Sequence, residues 1–134
     1  MASKRMVLCA DDYGISQGVN QAILELLEKK HITAISCITI TQDWIKDGNK
    51  LKNYSDRADI GLHFTLTKPN DTNWVVEGNT KCSVLSFYQL SKACFFNGIS
   101  EIDVSNEFER QLNLFMLVMG QPPNFIDGHQ HIHQ

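Results

Sequence analysis

The stretch RMVLCADDYGISQGVN, residues 5–20, passes from a short apolar run through two acidic residues to a helix signal. The apolar run at residues 5–10 predicts a buried strand. Ser16 is suited to begin the following helix, because its hydroxyl can accept a hydrogen bond from a backbone N–H of the first turn. A strand that leads directly into a helix is the repeating unit of parallel α/β folds, so this stretch predicts that class.

The rest of the chain continues the alternation of strand and helix patterns. Further strands are predicted, from apolar and β-branched runs, at residues 32–41, 59–67 and 124–127. Helices are predicted from the Ser16 cap to His31, at residues 43–54 and 86–97, and from a Ser105 cap to a stop at Gly120. A polar loop is predicted at residues 68–83, and long loops of this kind often line active sites. We therefore expect parallel strands with covering helices.

Length, composition and charge exclude several classes of protein. The 134 residues fit a single domain, residues 1–134, and 43% of them are hydrophobic. The formal net charge of −3 and the absence of a basic stripe argue against nucleic-acid binding. No apolar run approaches the ~20 residues that cross a bilayer. The first apolar run is too short for a signal peptide, so we expect a cytoplasmic protein whose four cysteines are reduced.

Candidate functional residues lie at or near the ends of the predicted strands. Asp11 and Asp12 follow the first strand, His63 lies in the third, and Asp127 and His129 end the last. Parallel α/β proteins bind ligands at the carboxyl ends of their strands, so these side chains are expected to meet there. Two adjacent carboxylates repel each other, and a bound cation relieves that repulsion.

Each of these signals also has a simpler explanation. Asp and Gly are common in turns, so Asp11-Asp12 alone favours a turn as much as a site. A histidine in an apolar strand, such as His63, is more often a core residue than a ligand. The histidines at positions 129, 131 and 133 alternate, unlike the uninterrupted run of a purification tag. Beside Asp127, such a dense cluster indicates a metal site.

Four segments, residues 8–20, 33–40, 61–67 and 125–133, resemble in order the motifs of the YdjC-like carbohydrate deacetylases, which include chitooligosaccharide deacetylases. The resemblance implies a partial TIM-like (β/α) barrel. It implies one divalent metal ion, Zn²⁺ or Mg²⁺ first and Mn²⁺ or Co²⁺ next, held by Asp12, His63 and His129. It also implies that Asp11 is the catalytic base in the hydrolysis of an N-acetyl group on an amino sugar or oligosaccharide.

The chain stops directly after the last of these four segments, whereas members of this family continue. The four predicted strands are about half of the roughly eight that close a barrel. We therefore expect a deacetylase-type domain truncated at its C-terminal end, a sheet with two open edges, and a homodimer. A non-catalytic metal-binding or sugar-binding module and a plain α/β structural domain are the competing hypotheses.

Overall fold

The strands of this chain form one sheet in which every pair of neighbours is parallel. A computed structural model describes residues 6–67, 85–96 and 98–132. Its strands are β1 (Cys9–Tyr13), β2 (Ala34–Cys37), β3 (Asp59–Phe64) and β4 (Ile126–Gly128), and their order across the sheet is their order along the chain. Each connection therefore advances by one strand in the same direction, as in a (β/α) barrel. The predicted class, an α/β fold with part of a TIM-like barrel, is confirmed.

Helices connect these strands close to the predicted positions, except that the last helix begins earlier than predicted. They are α1 (Gln17–Glu28), α2 (Trp44–Leu51), α3 (Phe87–Phe95) and α4 (Glu101–Met119), with short 3₁₀ turns at Lys52–Tyr54 and His129–His131. Ser16 caps α1 as predicted, and its hydroxyl accepts the N–H of Val19 at 3.3 Å. Gly120 ends α4 with a φ of 75°, in the left-handed region that glycine adopts without a steric penalty.

The predicted start of α4 at Ser105 is wrong, because Ser100 is the cap. The Ser100 hydroxyl accepts the N–H of Asp103, and the Asp103 carboxylate accepts the N–H of Ser100. This reciprocal arrangement satisfies two backbone donors that would otherwise lack partners at the helix end. Ser105 lies inside the helix, one turn later.

The first strand also differs from its prediction. Met6, Val7 and Leu8 are exposed rather than buried, and β1 begins at Cys9. The strand continues through both acidic residues, with a break in its register against β2 between Ala10 and Tyr13. A bulge of this kind redirects side chains at the end of a strand. The acidic pair therefore belongs to the strand itself and not to a loop beyond it.

The hydrophobic core lies between the sheet and helices α1, α2 and α4. Its large buried members include Ile35 and Leu62 from the sheet, Trp44 from α2 and Phe115 from α4. Trp44 and Phe115 stack with their ring centres 5.9 Å apart, which ties α2 to α4. Within the described residues, no helix is both long and apolar enough to cross a bilayer.

Candidate metal centre

Asp12, His63 and His129 converge at the carboxyl end of the sheet. Asp12 Oδ1 lies 3.2 Å from His63 Nε2 and 2.8 Å from His129 Nδ1. One ligand atom from each residue lies within 4.8 Å of the other two. Both histidines are buried, whereas 36% of the Asp12 side chain is exposed. The structure therefore brings together the three residues for which the resemblance implies metal binding.

The conformation of Asp12 explains how β1 delivers its carboxylate to the histidines. Asp12 has a φ of 65°, in the left-handed region, which Asp tolerates better than most residues. Gly14 follows with a φ of 104°, and a Cβ there would lie 2.6 Å from the carbonyl oxygen of Ile38. Only glycine fits this second position. The two unusual conformations turn the end of β1 so that Asp12 faces the ends of β3 and β4.

Two polar side chains on the far side of the ring orient His63. Its Nδ1 lies 2.7 Å from Asp127 Oδ1 and 3.1 Å from the hydroxyl of Ser36, and that hydroxyl also donates to Asp127. With Nδ1 engaged in this way, Nε2 is the nitrogen that faces Asp12. A histidine that binds a metal through one ring nitrogen typically donates a hydrogen bond from the other nitrogen to a carboxylate. The sequence pointed to Asp127 beside the histidine cluster, but Ser36 was missed. The sequence signal for Ser36 is a polar residue within an apolar strand, and the structure shows that this residue is fully buried.

The electrostatics of the cluster favour a positive charge between the carboxylates. Hydrogen bonds from His129 and then His63 hold the pKa of Asp12 well below its usual range. Burial acts to lower the pKa of His63, but its hydrogen bonds with Asp12 and Asp127 outweigh burial and raise it to about 9. This raised pKa favours the protonated form of His63 at neutral pH when no metal is bound. Metal binding at Nε2 requires loss of that proton.

The residues present fit a divalent metal ion. His129 Nε2 is buried, and no described residue forms a hydrogen bond with it. The ring turns Nδ1 toward Asp12, so this orphaned nitrogen does not itself face the carboxylate, and the fit of a metal ion rests on the donor set. One carboxylate and two imidazoles form a donor set that suits Zn²⁺ and other divalent transition metals. Three protein ligands also leave coordination positions for water and substrate.

Asp11 lies in a second cluster beside the first. It is exposed, and its carboxylate, Cys9 Sγ and the Asp127 carboxylate contribute atoms within 4.8 Å of one another. Burial, followed by the hydrogen bond with Asp11, raises the pKa of the Cys9 thiol to about 12. Cys9 is therefore a protonated neighbour of Asp11. Because Asp127 also contacts His63, Asp11 lies next to the Asp12, His63 and His129 cluster without being one of its members.

Among the described residues, His131 is not a member of this cluster. Gln130 and His131 have φ values of 54° and 58°, which fit neither an extended strand nor an α-helix. His131 is exposed, and His133 and the predicted loop at residues 68–83 lie outside the described residues.

Comparison with known proteins identifies the family of this chain. A model of the family described as YdjC-like protein matches residues 5–134. A carbohydrate deacetylase of Halalkalibacterium halodurans is 28% identical over 133 residues, which cover 96% of this chain and 54% of the relative. A chitooligosaccharide deacetylase of Serratia marcescens is 25% identical over 130 residues, which cover 97% of this chain and 51% of the relative. The chain thus spans about half the length of the curated relatives it matches.

A solved structure supports the fold assignment. A protein of Enterococcus faecalis, described as a candidate cellobiose-phosphate cleavage protein, superimposes with a TM-score of 0.76 at 22% sequence identity. The match covers 98% of this chain and 51% of that protein. At this level of identity the likeness concerns the fold alone.

Proposed function

This chain belongs to the YdjC-like protein family, and from that premise we propose that it carries the metal-binding half of a hydrolase that removes N-acetyl groups from amino sugars or oligosaccharides. The observation that carries the proposal is the meeting of Asp12, His63 and His129 at the carboxyl end of a parallel sheet. The names of the relatives supply the substrate class, an acetylated carbohydrate.

The donor set narrows the choice of metal ion. Two imidazoles and one carboxylate favour Zn²⁺, with Co²⁺ and Mn²⁺ next, because Mg²⁺ prefers oxygen ligands and keeps several of its waters. We propose one ion, held by Asp12, His63 and His129. When bound, such an ion polarises the carbonyl of a substrate and lowers the pKa of a water molecule.

The protein's own groups supply the positioning and the proton transfer. Asp127 and Ser36 hold the His63 ring so that Nε2 faces Asp12. We propose that Asp11 is the general base, since its exposed carboxylate lies beside this cluster and can accept a proton from the attacking water. Hydrolysis breaks the amide C–N bond, releases acetate and leaves the sugar as the free amine. A pure binding module would not require the additional carboxylate.

The environment of the cysteines supports the proposed cytoplasmic location. Cys9, Cys37 and Cys94 are free thiols, and none forms a disulfide within the described residues. Thiols remain reduced in the cytosol, whereas secreted proteins tend to pair them.

The proposed partner is an N-acetylated sugar, and the net charge of −3 gives no support for a nucleic acid.

Acetate release tests the proposed activity. The intact protein, loaded with Zn²⁺ and given N-acetylated chitooligosaccharides, is expected to release acetate at about 1–10³ s⁻¹, the ordinary enzymatic range. A chelator should stop the reaction, and added Zn²⁺ should restore it. Stoichiometric metal binding without acetate release would instead support a non-catalytic metal-binding module.

A polypeptide limited to residues 1–134 is expected to associate, as a dimer or in larger aggregates, and to deacetylate poorly. Among the described residues β1 and β4 each pair with one strand only, and Ile126 in β4 is 51% exposed. Open strand edges and exposed apolar side chains drive association. Light scattering measures the oligomeric state of this polypeptide, and mass spectrometry of the intact polypeptide confirms its length.

A matched pair of variants tests whether the open sheet edge is responsible. Ile126→Lys places a charge on that edge and is expected to reduce association. Leu117→Lys alters an equally apolar residue on α4, 74% exposed, and should change association less. A monodisperse monomer with ordinary deacetylase rates would contradict the expectation.

A further inference from the structure

We propose that Asn20 and Asp47 are positioning residues for the metal centre, because together they hold the turn that aims the Asp12 carboxylate at His63 and His129. Neither residue contacts the three candidate ligands through any described hydrogen bond. The inference rests on the proposed metal-dependent function and concerns residues of α1 and α2 to which that function assigns no role.

The turn after β1 depends on its surroundings to keep its shape. Asp12 and Gly14 both have left-handed φ values, 65° and 104°. Such conformations are sparsely populated by non-glycine residues, so they persist only where neighbouring groups determine them. Backbone bonds supply part of that support: the N–H of Ile15 donates to the Asp12 carbonyl, and the N–H of Ile38 donates to the Tyr13 carbonyl.

Asn20 supplies the main side-chain support. Its Oδ1 accepts the N–H of Gly14 at 2.6 Å, and its Nδ2 donates to Asp47 Oδ2 at 2.7 Å. The Tyr13 hydroxyl donates to the backbone carbonyl of Asp47 at 2.9 Å. Tyr13, Asn20 and Asp47 are each at most 2% exposed, so water does not compete for these bonds. Two consecutive residues of the turn are thus tied to α2.

The charge of Asp47 determines which way the Asn20 amide points. A carboxylate only accepts hydrogen bonds, so the donating Nδ2 must face Asp47 and the accepting Oδ1 must face Gly14. Gln17 Nε2 and Lys50 Nζ also donate to Asp47, each at 2.9 Å. These partners compensate a buried charge that would otherwise be costly. The network therefore orients a single acceptor toward the turn that carries Asp12.

Exchanging the two side-chain types tests this orientation. Asn20→Asp opposes two carboxylates in a buried position and should displace the turn. Asp47→Asn alone should disturb the turn less, because its amide oxygen can still accept the hydrogen bond of Asn20. The side chains of exposed Gln17 and half-exposed Lys50 can move away from the new amide group. The double variant Asn20→Asp/Asp47→Asn restores one donor facing one acceptor. Its Zn²⁺ affinity should return toward that of the wild type.

The measurement is the Zn²⁺ affinity of the purified intact protein, by competition with a chromogenic chelator above neutral pH. Asn20→Asp is expected to weaken binding about 10–100-fold, the range typical of groups that orient metal ligands. Leu27→Ala serves as the matched control, because Leu27 is a buried residue at the far end of α1. It should lower the thermal stability without a comparable loss of Zn²⁺ affinity. Should Asn20→Asp not fold, Asn20→Ala removes the same acceptor without introducing a charge.

A second readout separates this inference from the proposed function. In the metal-free protein, the ¹⁵N NMR shifts of the His63 and His129 rings report their contacts with Asp12. Asn20→Asp should change these shifts, and the double variant should restore them. If the wild type binds no Zn²⁺, the proposed function fails whatever these shifts do. If Asn20→Asp binds Zn²⁺ as tightly as the wild type and leaves the shifts unchanged, the positioning role is wrong.

Discussion

Replacing Asp12, His63 and His129 together with alanine is expected to abolish stoichiometric metal binding. These three side chains are the whole candidate ligand set, so the triple variant keeps no part of the site. Elemental analysis of the purified intact protein measures the metal content of the triple variant and of each single variant. His131→Ala is the matched control, because His131 is an exposed histidine two residues after His129.

The expected effects of two single variants follow from the burial of each side chain and from its hydrogen-bond partners. His63→Ala removes a buried ring that Asp127 and Ser36 orient, and should greatly weaken metal binding. Asp12→Asn keeps the size of the side chain but removes the charge that both histidines contact, and should also weaken it. A triple variant that retains one metal ion per chain would show that the ion binds elsewhere.

Asp11→Asn is expected to leave the metal in place and to remove most of the turnover of the intact enzyme. The substitution keeps the shape of the side chain but abolishes its capacity to accept a proton. General bases contribute typically ~10²–10⁴-fold to the rate, so acetate release should fall by a factor in that range. The readouts are steady-state acetate release and, on the same sample, elemental metal content.

A carboxylate elsewhere on the sheet provides the control for Asp11. Asp59 is exposed and begins β3, at the opposite end of the strand from the candidate centre. Asp59→Asn should leave both acetate release and metal content unchanged. An unchanged rate in Asp11→Asn would instead show that another group accepts the proton.

Local signals in the sequence account for the parts of the fold that were predicted correctly. Alternating apolar runs and helical stripes predicted four parallel strands and the helices that cover them, and the order of the elements is confirmed. Ser16 and Gly120 were recognised as helix ends because capping depends on neighbours within one turn. The same rule could have located the start of α4, since Ser100 has an acidic residue three positions later and Ser105 has Phe108.

The candidate ligands were predicted from motifs, but their geometry depends on the tertiary structure. The contact between Asp12 and His129 joins residues 117 positions apart, and that between His63 and Asp127 joins residues 64 apart. Such contacts depend on the register of the strands, which no local periodicity specifies. The exposure of Met6 to Leu8 is likewise a tertiary outcome, because their apolar pattern predicted burial.

By itself, the sequence determined the fold class, the order of the elements and the residue types of the candidate metal centre, because each depends on neighbouring residues or on a motif. Only the tertiary structure decided that Ser36 orients His63, that Asp12 lies in a bulge with a left-handed backbone, and that Asn20 and Asp47 support that turn. The physical reason is that a buried polar side chain takes its role from the partners that folding places around it. Those partners come from other strands and helices, so their identity follows from packing and register.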